Sequence, residues 1–245
     1  GSRRMNQPAA TRTRVHDHTN AEIPSSDYEM LMTRLRILLL YTLAMVLVPS
    51  QARVHPHVFA EAKLNVEIDG TGTVSKLSHV WRFDEIFSET VMFEFDKDAD
   101  GKVSAAEQAE VSKTIVESIG EYNYFEAVID NGKEVKMAKP ADLVAAFDDK
   151  TLVVSYSNAP VAPVRMAGKV SFGIYDPTFY TAIDFLEDTD MQVAGMPASC
   201  KSAVIRPDAE DAIAQNKGTL TEQFFTDPQG TDMSKIFATR IELTC

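Results

Sequence analysis

The sequence predicts an α+β fold: antiparallel β hairpins forming one or two sheets, with a helix–loop–helix inserted after the first hairpin. Three observations predict it. Two alternating runs, Val58 to Asp69 and Thr73 to Asp84, flank the turn Asp69-Gly70-Thr71-Gly72. An oxygen-rich loop, Asp96 to Glu107, lies between two segments of helical periodicity. From Phe125 onward, short apolar runs are separated by turn residues such as Asn131-Gly132.

Residues 1 to 31 are polar and aperiodic and read as a disordered or non-native extension. Residues 32 to 52 read as a secretory signal peptide: basic Met32-Thr33-Arg34-Leu35-Arg36, the apolar run Ile37 to Val48, then Pro49-Ser50-Gln51-Ala52 before a cut. The apolar run is short for a bilayer span. The expected mature chain is the exported part, 53 to 245. It keeps 18 basic against 32 acidic residues, a net charge of −14. Such a surface disfavours nucleic acid and attracts cations.

His55-Pro56-His57 follows the expected cut. In the hairpin, a turn centred between Gly70 and Thr71 places Val58, Ala60, Ala62, Leu64, Val66 and Ile68 opposite Phe83, Trp81, His79, Leu77 and Ser75. This is the expected buried face, and His79 reads as a hydrogen-bonded core histidine. The same register sets His57 opposite Asp84, with His55 on the same side. Two imidazoles with one or two carboxylates suit zinc, nickel, cobalt or copper better than calcium. The alternative is two exposed histidines on a flexible terminus.

Ser88-Glu89 is expected to cap a short helix running through Phe95. The loop that follows matches a 12-residue calcium loop of the EF-hand type. Asp96, Asp98 and Asp100 supply alternate carboxylates, Gly101 permits the sharp turn, and Lys102 offers its carbonyl. Ser104 ligates directly or through water, and Glu107 closes the site with both oxygens. Val103 is apolar where the loop meets its own core. Val111, Ile115 and Ile119 then recur every four residues up to Gly120, so the insertion spans 86–120. A lone loop of this kind stiffens a scaffold more readily than it senses calcium, because sensors open paired hands.

The C-terminal half continues as hairpins: Ala127 to Asp130 with Glu134 to Met137, and Leu143 to Phe147 with Leu152 to Ser157. Lys169 to Tyr175 and Tyr180 to Leu186 flank Asp176-Pro177, a turn signal. Asp176 is either a turn residue or a carboxylate aimed into a cleft. Met191 to Ile205 and Ile236 to Leu243 supply the last extended pieces. Cys200 and Cys245, the only cysteines, are expected to form one disulfide in an oxidising compartment. No phosphate-binding glycine loop and no Ser/His/Asp or Cys/His arrangement occurs, so the chain reads as non-enzymatic.

The order His-Pro-His-Val-Phe, Trp81-Arg82-Phe83-Asp84-Glu85-Ile86-Phe87-Ser88, Phe95-Asp96 through Gly101-Lys102, and Tyr175-Asp176-Pro177 resembles the domain of unknown function 1007 family. That family is commonly labelled the periplasmic component of an uncharacterised ABC-type transport system. Its members are commonly encoded beside NicO-type nickel/cobalt permeases, and some are implicated in zinc acquisition. The resemblance implies a periplasmic protein that hands zinc, nickel or cobalt to an inner-membrane permease. The matching ligand positions are His55 and His57, with Asp84 and Asp176 as partners. Arg53-Val54 before the first histidine depart from a pattern with histidine at the terminus. The alternative from another class is a calcium-stabilised structural or interaction protein of the envelope, in which the histidines are incidental.

Overall fold

The computed structural model describes residues 34, 56–218 and 234–245. Gly1–Gln51 and Ala52–Cys245 are separate units; of the first, only Arg34, helical and exposed, is described. The predicted extension and signal peptide, and His55, therefore lie outside the described residues. Among the described residues, no helix is long and apolar enough to cross a membrane.

β1 (Val58–Ile68) and β2 (Val74–Phe83) form the predicted hairpin. Every even-numbered residue of β1 is buried, as strand alternation requires. The register differs from the expected one by two residues: Ala60 pairs with Phe83, Leu64 with His79 and Val66 with Leu77. The cause lies in the turn. The Asp69 carboxylate accepts from the amides of Thr71 at 2.8 Å and Thr73 at 3.0 Å, so Asp69 and Thr73 close a wider loop. An irregularity between Glu67 and Ile68 adds the rest of the shift. An even slip preserves the faces, so His79 and Trp81 are buried as predicted. Val74, however, takes the inward place expected of Ser75, which is exposed. The slip also sets Asp84 against Phe59, whose carbonyl accepts the Asp84 amide at 2.9 Å, and not against His57.

The first sheet has six strands. β5 (Val144–Asp148) and β6 (Thr151–Asn158) extend β2 antiparallel, as the hairpin signals predict. On its other edge β1 is flanked end to end by β8 (Thr181–Asp184) and β9 (Met191–Ala194), both parallel to it. The antiparallel hairpins form two sheets as expected, and β8 and β9 add parallel pairs at the β1 edge. Alternation reveals which residues face inward but not which edge a strand joins. Gly195 ends β9 at φ +75°, where a Cβ would stand 2.0 Å from the Ile68 carbonyl oxygen, so only glycine fits this approach.

The second sheet runs β10 (Lys201–Ile205), β11 (Arg240–Thr244), β7 (Lys169–Ile174), β3 (Glu126–Asp130), β4 (Lys133–Glu134), all antiparallel. The expected strand from Met191 to Ile205 is thus two strands in different sheets. The Cys200–Cys245 disulfide forms as predicted, one position beyond the Lys201–Thr244 pair. Both sheets feed one core, with Leu64, Leu77, Trp81 and Leu152 from the first and Phe172 and Leu243 from the second.

The insertion is α1 (Glu85–Phe95), a loop, and α2 (Ala105–Gly120). Asp84, not Ser88, caps α1. Ser88 is fully buried one turn inside, where its hydroxyl donates to the Asp84 carbonyl at 2.6 Å and accepts the Leu152 amide at 3.0 Å. That ties α1 to β6. Ser112 ties α2 to β5 in the same way, accepting the Ala145 amide at 2.9 Å. Val111, Ile115 and Ile119 pack into the core as predicted. A short α3 (Ala209–Gln215) follows β10.

Candidate metal-binding sites

The loop between α1 and α2 is organised by its own carboxylates. Asp96 accepts the Asp100 amide at 3.1 Å and the Gly101 amide at 2.8 Å; Asp100 accepts the Lys102 amide at 2.8 Å. Gly101, at φ +79°, makes the sharp turn that its place in the loop requires. Ser104 and Glu107 form a capping box at the start of α2. Glu107 accepts from the Lys97 and Ser104 amides, both at 2.7 Å, and so holds the two ends of the loop together. Val103 is buried, as predicted.

Asp96, Asp98 and Glu107 each bring a carboxylate oxygen within 4.8 Å of the others, and among the described residues only these three His, Cys, Asp or Glu side chains are so grouped. Oxygens bound to one calcium at about 2.3–2.6 Å stand no more than about 5 Å apart, so this trio fits the ion. Asp100 stays outside the trio, Lys102 presents an exposed side chain, and the Ser104 hydroxyl serves as the helix cap.

Charge crowding marks the same spot. The Asp100 amide pulls the Asp98 carboxyl down, but the negative charge of Asp100, aided by desolvation, Asp96 and Glu107, leaves it above the usual carboxylate range. A divalent cation would offset that repulsion. Hydrogen bonds from Ser104, then from the Lys97 amide, hold Glu107 below the usual value. Its stabilising contribution is complete above its unfolded pKa and is lost as the pH falls through the lowered folded one.

The predicted transition-metal residues are arranged differently. His57 is exposed at the head of β1; its amide donates to the Tyr180 carbonyl at 2.9 Å and its ring lies 5.4 Å from that of Tyr180. Asp84 accepts the Phe59 amide at 2.8 Å and the Phe87 amide at 2.9 Å. Asp176 is buried and accepts the Thr178 amide and hydroxyl, at 2.8 and 2.7 Å, and the Thr181 amide at 2.9 Å. Asp176 is thus a turn residue with both carboxylate oxygens taken up by Thr178 and Thr181, and the turn borders a groove of about 630 Å³ with Glu61, Asp84 and Asp184. His57, Asp84 and Asp176 do not converge on a common point. Asp84→Ala removes a cap and leaves the Phe59 amide without its acceptor. We expect it to lower stability by about 1–2 kcal/mol in urea denaturation, whatever metal is present.

Sequence reasoning missed Glu126. It shares the strand parity of buried Val128, and a charged residue at inward parity is the signal that could have found it. His79 lies in the core as predicted, but neither of its ring nitrogens completes a hydrogen bond; its polar neighbour is Glu126, with Nε2 3.3 Å from Oε1.

A family model described as "Protein of unknown function (DUF1007)" matches residues 40–245. The chain belongs to the DUF1007 family. A relative from Haemophilus influenzae, described as an uncharacterized protein, is 23% identical to this DUF1007 chain over 195 residues, covering 78% of this chain and 91% of the relative. Among solved structures, AChBP of Bulinus truncatus aligns with 83% of this DUF1007 chain and 96% of its own length. That alignment has 11% identity and a TM-score of 0.28, too low for the two folds to be treated as alike.

Proposed function

We propose that this protein is a periplasmic metal-binding accessory. Its loop from Asp96 to Glu107 takes a structural calcium ion. His55 and His57, at the mature terminus, take zinc or nickel/cobalt for delivery to an inner-membrane permease. The observation that carries metal binding is the convergence of Asp96, Asp98 and Glu107 within 4.8 Å on a loop of calcium-binding length. A lone hand braces a scaffold, and here the brace joins two helices tied to β5 and β6 through Ser112 and Ser88. The transition-metal half is supported by His57, exposed at the end of β1 and within reach of solvent-borne ions. Asp84 and Asp176 lend negative charge to the neighbouring groove.

A second reading, a calcium-stabilised envelope protein with no transport role, is favoured by the backbone amides that already engage both oxygens of Asp84 and of Asp176. Zinc and nickel titrations of the chain and of its His55→Ala/His57→Ala variant separate the two. The accessory reading expects at least one metal bound at the terminus to be lost in the variant. Unchanged affinity and stoichiometry would leave the calcium-stabilised envelope protein.

A further inference from the structure

Among the described residues, β8 ends one side of the first sheet: it pairs with β1 and with no other strand. The parallel register sets Phe59 beside Ala182 and Glu61 beside Asp184. Odd-numbered residues of β1 turn outward, so Ala182 and Asp184 lie on the outer face. Thr181 and Ile183 turn inward, and Ile183 packs against the core. The backbone alternates as well. The Val58 amide donates to the Tyr180 carbonyl at 3.2 Å, so the ladder turns the backbone groups of Ala182 and Asp184 toward β1 and those of Thr181 and Ile183 away from it. The Thr181 amide donates to Asp176 at 2.9 Å. The Thr181 carbonyl and both backbone groups of Ile183 therefore face the open edge.

Every residue of β8 lines the groove of about 630 Å³, whose charges are mostly negative. Glu61, Asp84, Asp176 and Asp184 border it, against Arg82. Arg82 stands opposite Glu61 in the hairpin, but its guanidinium bonds Asp148 at 2.9 Å. Arg206 comes within 3.9 Å of Asp184, while its closer bonds run to Asp188 at 3.0 Å and to the Phe185 carbonyl at 2.6 Å. Glu61 and Asp184 thus set two carboxylates side by side on neighbouring strands, a like-charge pair that is destabilising until a cation lies across it. The rest of the wall is largely apolar and includes Ile174, Phe179 and Phe237, the last two with ring centroids 6.2 Å apart.

We propose that β8 is a docking edge for an extended segment of a partner protein in which basic and apolar residues alternate. Added as a strand, the segment bonds to the Thr181 carbonyl and to the Ile183 backbone. Its basic side chains stand on the outer face beside Asp184 and Glu61, and its apolar ones turn inward beside Ile183. Charge disfavours the other occupants. Residues 219–233, which precede Phe237 in the chain, carry Glu222, Asp227 and Asp232 and no Lys or Arg. A second copy would bring a chain of net charge −12 to an acidic edge. A short edge strand ending in Asp is also a form that resists pairing with itself. The docking edge uses neither the calcium loop nor His55 and His57, so it stands or falls apart from the metal sites.

The test is fluorescence anisotropy of a labelled, alternating lysine–valine peptide of about eight residues, titrated with full-length protein in excess calcium. The expected result is saturable binding with Kd below about 1 mM. Glu61→Lys/Asp184→Lys is expected to weaken it by about 10-fold, because two cross-strand charge pairs are lost together. Two control peptides are expected not to bind. One is the same peptide N-methylated at every amide, which keeps the charge but cannot donate to a ladder; the other alternates glutamate with valine. Should the lysine variant fail to fold, the milder Glu61→Gln/Asp184→Asn is expected to weaken binding in the same direction. Absence of saturable binding, or equal affinity in a folded charge variant, overturns the inference. Equal binding of either control peptide also overturns it, the N-methylated one by reducing the effect to diffuse attraction toward an acidic protein. A dimer of the free chain in sedimentation equilibrium that dissociates in Glu61→Lys/Asp184→Lys overturns it too, and gives the edge to a second copy.

Discussion

Replacing Cys200 and Cys245 by serine is expected to lower the folding free energy by about 4 kcal/mol, from the loop-closure entropy of a cross-link spanning 45 residues. Against a typical domain stability of about 5–15 kcal/mol, that is a large share of the total. The bond joins the ends of β10 and β11, the two strands at one edge of the second sheet. β11 keeps its ladder to β7 and its buried Ile241 and Leu243, so the variant is expected to keep the fold and lose stability. Urea denaturation of the oxidised chain and the double variant measures the loss. A difference below about 1 kcal/mol would place most of the restraint in the ladder, against the chain-entropy account.

Calcium is expected to raise the melting temperature in proportion to the logarithm of its excess over Kd. At 100 times Kd the gain is about 2.7 kcal/mol, or about 5–11 °C for a chain of this size. The physical source is local. Asp96, Asp98 and Glu107 crowd three negative charges together, and Asp98 is already pushed up by Asp100. Glu107→Gln keeps a side chain able to serve in the capping box but removes a charged, two-oxygen ligand. It should abolish most of the calcium response, and it should also lower the calcium-free melting temperature, because glutamine has one acceptor oxygen for the Lys97 and Ser104 amides that both bond to Glu107. Asp98→Asn should relieve the repulsion, leaving the calcium-free protein at least as stable and its calcium response smaller. An acidic turn that only caps α2 would show no calcium response to lose.

Much of the fold was legible because it depends on local rules. The period-two run from Val58 to Ile68 identified the buried face, Asn131-Gly132 marked a hairpin, and the spacing of Val111, Ile115 and Ile119 marked α2. What escaped depends on geometry that alternation does not encode. The hydrogen bonds of Asp69 widened a turn and moved Asp84 two residues away from the register that would have faced it to His57. Nothing local to Thr181–Asp184 says that this strand lies parallel to β1 rather than antiparallel to β7. The acidic loop was readable because Asp96 to Glu107 is one contiguous stretch, and Asp96, Asp98 and Glu107 come together within it. The His79–Glu126 pair was not, because it is made by two sheets meeting across 47 residues of chain.

The most direct test of the account is calcium bound per chain, measured by equilibrium dialysis on protein freed of metal by chelator, in the native sequence and in Glu107→Gln. The account predicts one calcium ion per native chain at up to about 10 mM calcium, above the weakest affinities of extracellular loops, and a large loss of affinity in the variant. No bound calcium at that concentration, or equal binding by Glu107→Gln, would contradict it and reduce Asp96 to Glu107 to a capped acidic turn.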